Sequence, residues 1–348
     1  MASSIELWVG EHPHNFLPDG EFLSSHNKVL DSIANYYDEP SPSIPYRYDT
    51  LFLDNGAFGA TQHSRILDPE RVKDLQEYFN PDKTIPLDYP FLPDMSQRQM
   101  IRRWEKTKEN MIDFYETTNL REIIPSLHAW SRESLERNLK WVEKHADAGY
   151  LALGSIVTKE FGTGRPYFGD RYPNKQLIDM IIDSVTLIRK LTGFSIHMMG
   201  FGSSPLTLHL GFFCGINSTD TTGYRRGAAY GKIIIQGTGW RSVGKKKKSF
   251  DVPGPSKSEY EKLSKCRCPV CRKDQELLYS KWKARAVHNK HVLQLEENRA
   301  RRLIEKDFEA YEHYVAQVFS GCHAPWFVNL WEYARNRVKS MPLLAQSR

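Results

Sequence analysis

The chain has few cysteines and no long hydrophobic run, and both shortages narrow the class of protein. Its 348 residues include only five cysteines, three of them within six positions, which is too few and too clustered for a disulfide framework. No stretch reaches the roughly 18 apolar residues of a membrane span. Residues 1–10 hold neither a basic leader nor an apolar signal core. The sequence therefore predicts a cytoplasmic protein with no membrane partner.

Composition and charge indicate a folded protein with locally basic segments. Hydrophobic residues make up 40% of the chain, which is enough for a sizeable core. The net charge is only +6, but it is unevenly distributed. Such basic segments suit a polyanion such as nucleic acid, although a solvated face explains them equally well. The clusters are the run Lys245, Lys246, Lys247 and Lys248, and the group Arg299, Arg301 and Arg302.

The first 240 residues alternate between short β-rich runs and segments with helical periodicity. The pattern of strand then helix predicts parallel βαβ units and an α/β fold. A (β/α)8 TIM barrel is the first interpretation, with an eighth strand not placed, and a doubly wound open sheet is the alternative. The clearest helix candidates are 131–146 and 174–191. The strand candidates are 5–10, 50–53, 84–87, 123–127, 149–153, 195–199 and 215–218.

The C-terminal third has a different character, which predicts three regions. Residues 1–240 form the barrel core, including its catalytic mouth. Residues 241–320 contain the lysine run, a cysteine cluster and a long charged helical segment, so they are predicted to be a basic loop, a zinc-binding subdomain and a helix. Residues 321–348 carry Trp326, Trp331 and Tyr333 and are predicted to pack back on the barrel.

Acidic and small residues follow several of the predicted strands. The carboxyl ends of barrel strands converge on one mouth, where active sites are built. A single aspartate at such a place is more often a helix cap or a turn residue. Three aspartates at the same level indicate a site more strongly. The residues are Asp54, Asp88, His128, Gly154, Met199 and Asp220.

The cysteine cluster is the most specific local motif. Cys266, Cys268 and Cys271 can reach one tetrahedral ion, and thiolate and imidazole ligands are those that Zn²⁺ prefers. The fourth ligand can be His288 or His291, because residues three apart share a helix face. Four protein ligands leave no position for water. The motif therefore predicts a structural rather than a catalytic zinc ion.

Together these features resemble the tRNA-guanine transglycosylase superfamily over roughly residues 50–300. Those enzymes are (β/α)8 barrels with a zinc subdomain near the C-terminal end. Their zinc histidine stands in a His-Asn context, which matches His288-Asn289, so the resemblance selects His288. Their Asp-Ser-Gly-Gly-Phe and Leu-Met-Gly-Val-Gly motifs are similar to 54–58 and 198–202.

The resemblance implies an exchange of guanine for a 7-deazaguanine base (preQ0-like) in nucleic acid. It implies that Asp220 attacks C1′ of the sugar and forms a covalent glycosyl intermediate. It implies that Asp54 is the general acid/base. Neither ATP nor a redox cofactor is needed. The residues that it implies for base binding are Asp88, Phe58, Met199, Gly154, Ser155 and His128.

Departures from the family pattern favour a divergent branch. Asn55 and Ala57 alter the first motif, His128 stands where the family commonly has glutamine, and the segment after Asp220 is unlike that of the tRNA enzymes. These features favour the DNA-guanine transglycosylases, with tRNA as the alternative substrate and a homodimer as a possible assembly. The predicted phosphate contacts are Lys245–Lys248, Arg225 and Arg226. A second alternative is a non-catalytic zinc-containing nucleic-acid-binding subunit.

Overall fold

A computed structural model describes residues 5–12, 28–92, 94–156, 175–243, 252–322 and 326–341. These residues form two compact units. The first unit contains residues 5–9 and the described residues from 200 onward. The second contains residues 10–12 and the described residues of 28–199. The predicted phosphate contacts at Lys245–Lys248 lie outside the described residues.

Eight of the described strands, β1 to β8, pair in parallel registers within the two units. In the first unit β1 pairs with β8, and in the second β2 pairs with β3, β3 with β4, β5 with β6 and β6 with β7. The predicted α/β class is therefore confirmed, and the strand that the sequence left unplaced is β2. The strands are β1 (Glu6–Gly10), β2 (Lys28–Ser32), β3 (Thr50–Asp54), β4 (Lys83–Thr84), β5 (Ser126–Ala129), β6 (Tyr150–Ile156), β7 (Ser195–Met198) and β8 (Ser218–Thr221).

In the second unit, β2, β3 and β4 pair in sequence, and so do β5, β6 and β7. A parallel bridge between Thr84 and Ile123 joins β4 to the segment that leads into β5. The amide of Thr84 donates to Glu122, and the amide of Ile124 donates to Thr84, at 2.9 and 2.8 Å. The bridge and the two hydrogen bonds thus attach β4 to the segment just before β5 inside this unit.

The helices of the second unit begin at side-chain caps. Ser96 and Gln99 form a capping box at the start of α3, and Ser131 and Ser134 form one at the start of α4. The predicted helices 131–146 and 174–191 are confirmed to within one residue at each end. The helices are α1 (Ala57–Gln62), α2 (Pro69–Phe79), α3 (Gln97–Thr117), α4 (Arg132–His145) and α5 (Lys175–Leu191).

Four strand predictions had wrong bounds. The strand predicted at 123–127 lies at Ser126–Ala129, and the one predicted at 149–153 extends to Ile156, so His128 and Gly154 lie within their strands. Only Lys83 and Thr84 of the run predicted at 84–87 are in a strand, since Pro86 lacks the N–H that a ladder needs. The strand predicted at 215–218 lies at Ser218–Thr221, because Cys214 caps the preceding helix and Gly215 turns the chain with φ of 97°. Asp220 therefore lies within its strand rather than after it.

The first unit contains β1 paired with β8, a hairpin and most of the helices of the C-terminal half. The hairpin strands β9 (Lys232–Ile235) and β10 (Gly239–Ser242) are antiparallel and were not predicted. The helices are α6 (Pro205–Phe213), α7 (Gly223–Ala229), α8 (Lys257–Ser264), α9 (Pro269–Lys273), α10 (Leu277–Ser280), α11 (Trp282–Lys306), α12 (Phe308–Ser320) and α13 (Trp326–Lys339). No helix among the described residues is long and apolar enough to cross a membrane.

A buried polar network ties the hairpin turn to the long helix α11. The carboxylate of Glu296 accepts hydrogen bonds from His209 Nε2 at 3.0 Å, Tyr314 at 2.6 Å and the amide of Gly237 at 2.6 Å. Burial by itself raises the pKa of Glu296, but these donors outweigh it, so the pKa lies below its usual value. The network fixes the position of the turn between β9 and β10.

Candidate functional site

Six of the residues predicted for the site line one pocket of the second unit. They are Asp54, Phe58, Asp88, His128, Gly154 and Met199. These residues come from the ends of β3, β5 and β7, from β6, from the start of α1 and from the loop that follows β4. Ser155 belongs to β6, and its side chain lies outside the described residues. The other lining residues are Asn55, Ile85, Pro90, Ser126 and Leu153.

The carboxylate of Asp54 is held at the end of β3. Its Oδ2 atom accepts from the amide of Gly56 at 3.1 Å and from the hydroxyl of Ser32 at 3.3 Å. Gly56 has φ of 77°, and a Cβ there would lie 2.8 Å from Ala34. The glycine therefore permits the tight turn that directs an amide at Asp54.

Asp88 lies in the loop after β4, with polar groups on either side. Asn55 Nδ2 donates to its Oδ1 atom at 3.0 Å, and His128 Nε2 lies 2.7 Å from its Oδ2 atom. The side chain of Asp88 is only 12% exposed, so the carboxylate depends on these partners for most of its solvation.

Asp220 is a buried residue of the first unit with an oriented side chain. Its Oδ1 atom accepts from the amide of Gly200 at 2.6 Å, and its backbone oxygen accepts from Gly202 at 3.0 Å. Gly200 has φ of 69°, and a Cβ at Gly202 would lie 2.6 Å from Leu7. The two glycines of the 198–202 motif thus serve a left-handed turn and a close approach beside this carboxylate.

The four residues of the predicted metal cluster come together. One ligand atom from each of Cys266, Cys268, Cys271 and His288 lies within 4.8 Å of all the others. His288 Nδ1 lies 3.7, 3.6 and 3.4 Å from the three sulfur atoms in chain order. His291 is not a member of the group. Three sulfurs and one nitrogen at these separations suit one tetrahedral metal ion.

Surrounding hydrogen bonds orient the ligands of this cluster. His288 Nε2 lies 2.9 Å from the carbonyl of Ile234 on β9, which leaves Nδ1 directed at the sulfurs. Asn289 accepts from the amide of Ile234 at 2.7 Å and donates to Tyr224 at 3.1 Å. Cys268 caps α9 and accepts from the amide of Cys271 at 3.3 Å. The His-Asn pair therefore attaches the hairpin to α11.

A groove beside the metal cluster was missed at the sequence level. It encloses about 890 Å³ within the first unit, over an apolar floor that includes Ile234 and Leu295. Its rim carries the basic side chains Lys262, Lys265, Arg267 and Arg299, and none of the described residues that line it is acidic. The residues that line the groove are spread from 234 to 321, so no local sequence pattern predicts it.

The hairpin beside this groove did have a sequence signal. Three consecutive isoleucines at 233–235 precede a turn that contains Gly237 and Gly239, which is typical of a strand followed by a hairpin turn. Arg225 and Arg226, predicted as phosphate contacts, lie on α7, where Arg226 is exposed and Arg225 is partly buried.

The chain matches no protein-family model, and no curated protein matches it. Any functional assignment therefore depends on the motifs and on the geometry of the two units.

Proposed function

We propose that the protein is a guanine transglycosylase, built on a (β/α)8 barrel, that exchanges guanine in nucleic acid for a 7-deazaguanine base. The observation that carries the proposal is the pocket of the second unit. Five predicted base-binding residues and one predicted catalytic residue, spread over positions 54–199, line it together. The bridge between Thr84 and Ile123 supports the barrel.

The proposed pocket offers the groups that a purine base requires. Phe58 and Met199 provide apolar surfaces for the two faces of a flat ring. Asp88 provides a carboxylate that accepts hydrogen bonds from N–H groups at the edge of the ring. The pocket thus combines apolar side chains with a few polar groups held by hydrogen bonds, in a cavity of about 50 Å³.

The proposed reaction has two displacements at C1′ of the nucleoside. In the first, a carboxylate oxygen of Asp220 bonds to C1′ while the C1′–N9 bond breaks, and Asp54 donates a proton to the departing guanine. In the second, the incoming base loses its N9 proton to Asp54, and N9 displaces the Asp220 carboxylate from C1′. The proton balance is zero, and no redox or phosphate chemistry takes part.

We propose zinc as the metal of the cysteine cluster. A tetrahedral zinc ion with ordinary bond lengths places its sulfur and nitrogen ligands about 3.5–3.6 Å apart. The three separations between His288 Nδ1 and the sulfurs, 3.4–3.7 Å, agree with this value. The closed ligand set supports a structural role, which joins the segment that holds Cys266 to α11.

DNA is the favoured substrate and tRNA the alternative. We expect purified protein to incorporate labelled guanine into duplex DNA and not into unmodified tRNA, because the departures after Asp220 are unlike the tRNA enzymes. Incorporation into tRNA alone would overturn the choice of DNA. Incorporation into neither, with nucleic acid still bound, would favour the non-catalytic binding subunit.

The basic rim of the groove is proposed to contact phosphates. Changing Lys262, Lys265 and Arg299 to alanine should weaken DNA binding and reduce the slope of log affinity against log salt by up to about 2.7, since each phosphate contact contributes about 0.9. Fluorescence anisotropy over a salt series measures both quantities. A matched variant changes Arg98, Arg102 and Lys106, which are equally exposed on α3. If the two variants have equal slopes of log affinity against log salt, the groove does not contact DNA.

A further inference from the structure

The two side chains that bond Asp88 are both departures from the family pattern. Asn55 stands where the family has serine, and His128 stands where it commonly has glutamine. Each bonds a different oxygen of the same carboxylate, at 3.0 and 2.7 Å. Two substitutions 73 positions apart in the chain (128 − 55) therefore meet at one functional group.

The orientation of Asn55 is fixed by its neighbours. Its Oδ1 atom accepts from the amide of Ala57 at 2.8 Å, and its Nδ2 atom donates to the carbonyl of Pro86 at 2.7 Å. A backbone amide can only donate and a carbonyl can only accept, so the side-chain amide cannot be flipped. The second hydrogen on Nδ2 is therefore directed at Asp88.

The imidazole of His128 is equally constrained. It is fully buried on β5, and its ring packs on Phe91 with centroids 5.2 Å apart. A Cβ at Gly154 would lie 2.6 Å from Cε1 of this ring, so the ring occupies the space that any larger residue at 154 would need. Because an ionised carboxylate can only accept, Nε2 carries a hydrogen and donates to Asp88.

We infer that Asn55 and His128 act as one pair of positioning residues that aim Asp88 at the edge of the base and so set base selectivity; this inference rests on the proposed function. Each carboxylate oxygen of Asp88 uses one of its lone pairs to accept a hydrogen bond from Asn55 or His128. The remaining lone pairs suit two adjacent donors. Guanine and 7-deazaguanine present N1–H and a 2-amino group there, whereas hypoxanthine lacks the amino group.

Selectivity should follow from the fixed carboxylate. If the site holds an acceptor rigidly, that acceptor stays unpaired when the bound base lacks the matching donor. The free-energy cost of the unpaired acceptor then favours guanine strongly over hypoxanthine. A carboxylate free to rotate can turn its unused oxygen elsewhere and loses most of the discrimination. The pair therefore matters more for guanine than for hypoxanthine.

The test is equilibrium binding of guanine, 7-deazaguanine and hypoxanthine to the zinc-loaded full chain by calorimetry. Wild type should prefer guanine to hypoxanthine by about 10-fold or more. Asn55→Ala and His128→Ala each remove one donor to Asp88 and should each weaken guanine binding about 10-fold, with little effect on hypoxanthine. The double variant should lose little more than either single variant, because both act through one carboxylate.

The controls separate a positioning role from damage to the fold. His197→Ala removes a different fully buried histidine, one that does not line the pocket, and should leave base selectivity unchanged. Thermal unfolding of every variant reports on folding. Asp88→Asn should abolish the preference for guanine.

Three results are decisive. Guanine preference lost in both single variants, with non-additive losses, supports the pair. Guanine binding that is strong but insensitive to both substitutions, or losses that multiply in the double variant, overturns the inference and leaves base exchange standing. Wild type that binds none of the three bases overturns both the inference and the proposed function.

Discussion

Replacing Asp220 by asparagine is expected to lower base exchange by about 10⁴-fold or more, because the proposed nucleophile is lost. The asparagine oxygen can still accept a hydrogen bond from the amide of Gly200, whose nitrogen lies 2.6 Å from Oδ1 of Asp220, so the local fold should survive. Exchange of labelled guanine measures the rate. Denaturing electrophoresis with labelled nucleic acid should detect a covalent adduct in wild type and none in this variant.

Asp54 provides an internal contrast for the same experiment. Asp54→Asn removes a general acid/base rather than the nucleophile, so it should slow exchange by about 10²–10⁴-fold. Asp74→Asn, at an exposed aspartate on α2, is the matched control and should exchange at the wild-type rate. Exchange at the wild-type rate by the Asp220 variant would refute the covalent mechanism. A non-catalytic binding subunit would show no exchange, and its binding of nucleic acid would not depend on either aspartate.

Loss of the metal is expected to be the most destabilising change in the first unit. A structural zinc ion can contribute about 10–16 kcal/mol to local folding, so Cys268→Ser should release the metal and unfold the segment around α9 and α11. Cys268 is fully buried in the cluster and also caps α9. Elemental analysis gives the metal content, and thermal unfolding gives the stability.

Two variants test the specificity of that loss. Cys322→Ser removes a cysteine outside the cluster, and His291→Ala removes the other histidine considered as a ligand; both should keep one metal ion per chain. If Cys268→Ser retained the metal, or shifted the unfolding midpoint by less than about 2 °C, the structural role would be wrong. Strong binding of iron or copper in place of zinc would overturn only the choice of metal.

The metal cluster could be predicted because its signal is local. Cys266, Cys268 and Cys271 lie within six positions, so the spacing alone brings three sulfurs to one point. The spacing of the residues did not distinguish His288 from His291 as the fourth ligand. The family resemblance selected His288. The structure supports the same choice through Nε2 of His288, which bonds the carbonyl of Ile234 in a hairpin that was not predicted.

Strand β2 was not predicted because it contains a buried aspartate, Asp31. Asp31 is 1% exposed, which an apolar strand pattern does not anticipate. Its carboxylate is satisfied by Tyr36 at 2.5 Å and Asn35 at 2.6 Å, together with Tyr46. Burial still raises the pKa of Asp31. The groups that offset the burial of Asp31 follow the strand along the chain. The alternation of apolar and polar residues within the strand therefore does not reveal them.

The site residues were predicted individually, but their contacts were not. Strand ends placed Asp54 and Asp88 at one level, as the pocket has them. The bond between His128 and Asp88 spans 40 positions and depends on loop geometry after β4. His128 stands where the family commonly has glutamine, and the structure gives it a defined hydrogen-bond partner, Asp88, with its ring packed against Gly154.

The pairing of β1 with β8 has a consequence for protein synthesis. Glu6 lies opposite Ser218, so 212 residues (218 − 6) separate the two partners. At about 5–20 residues per second, the first strand waits roughly 10–40 s before its partner has been translated. Leu7, Trp8 and Val9, all buried in the folded chain, have no β8 to pair with on the ribosome during that interval. A nascent chain of this kind offers an early apolar segment to holding chaperones, and its yield should be sensitive to how quickly the ribosome reaches Ser218.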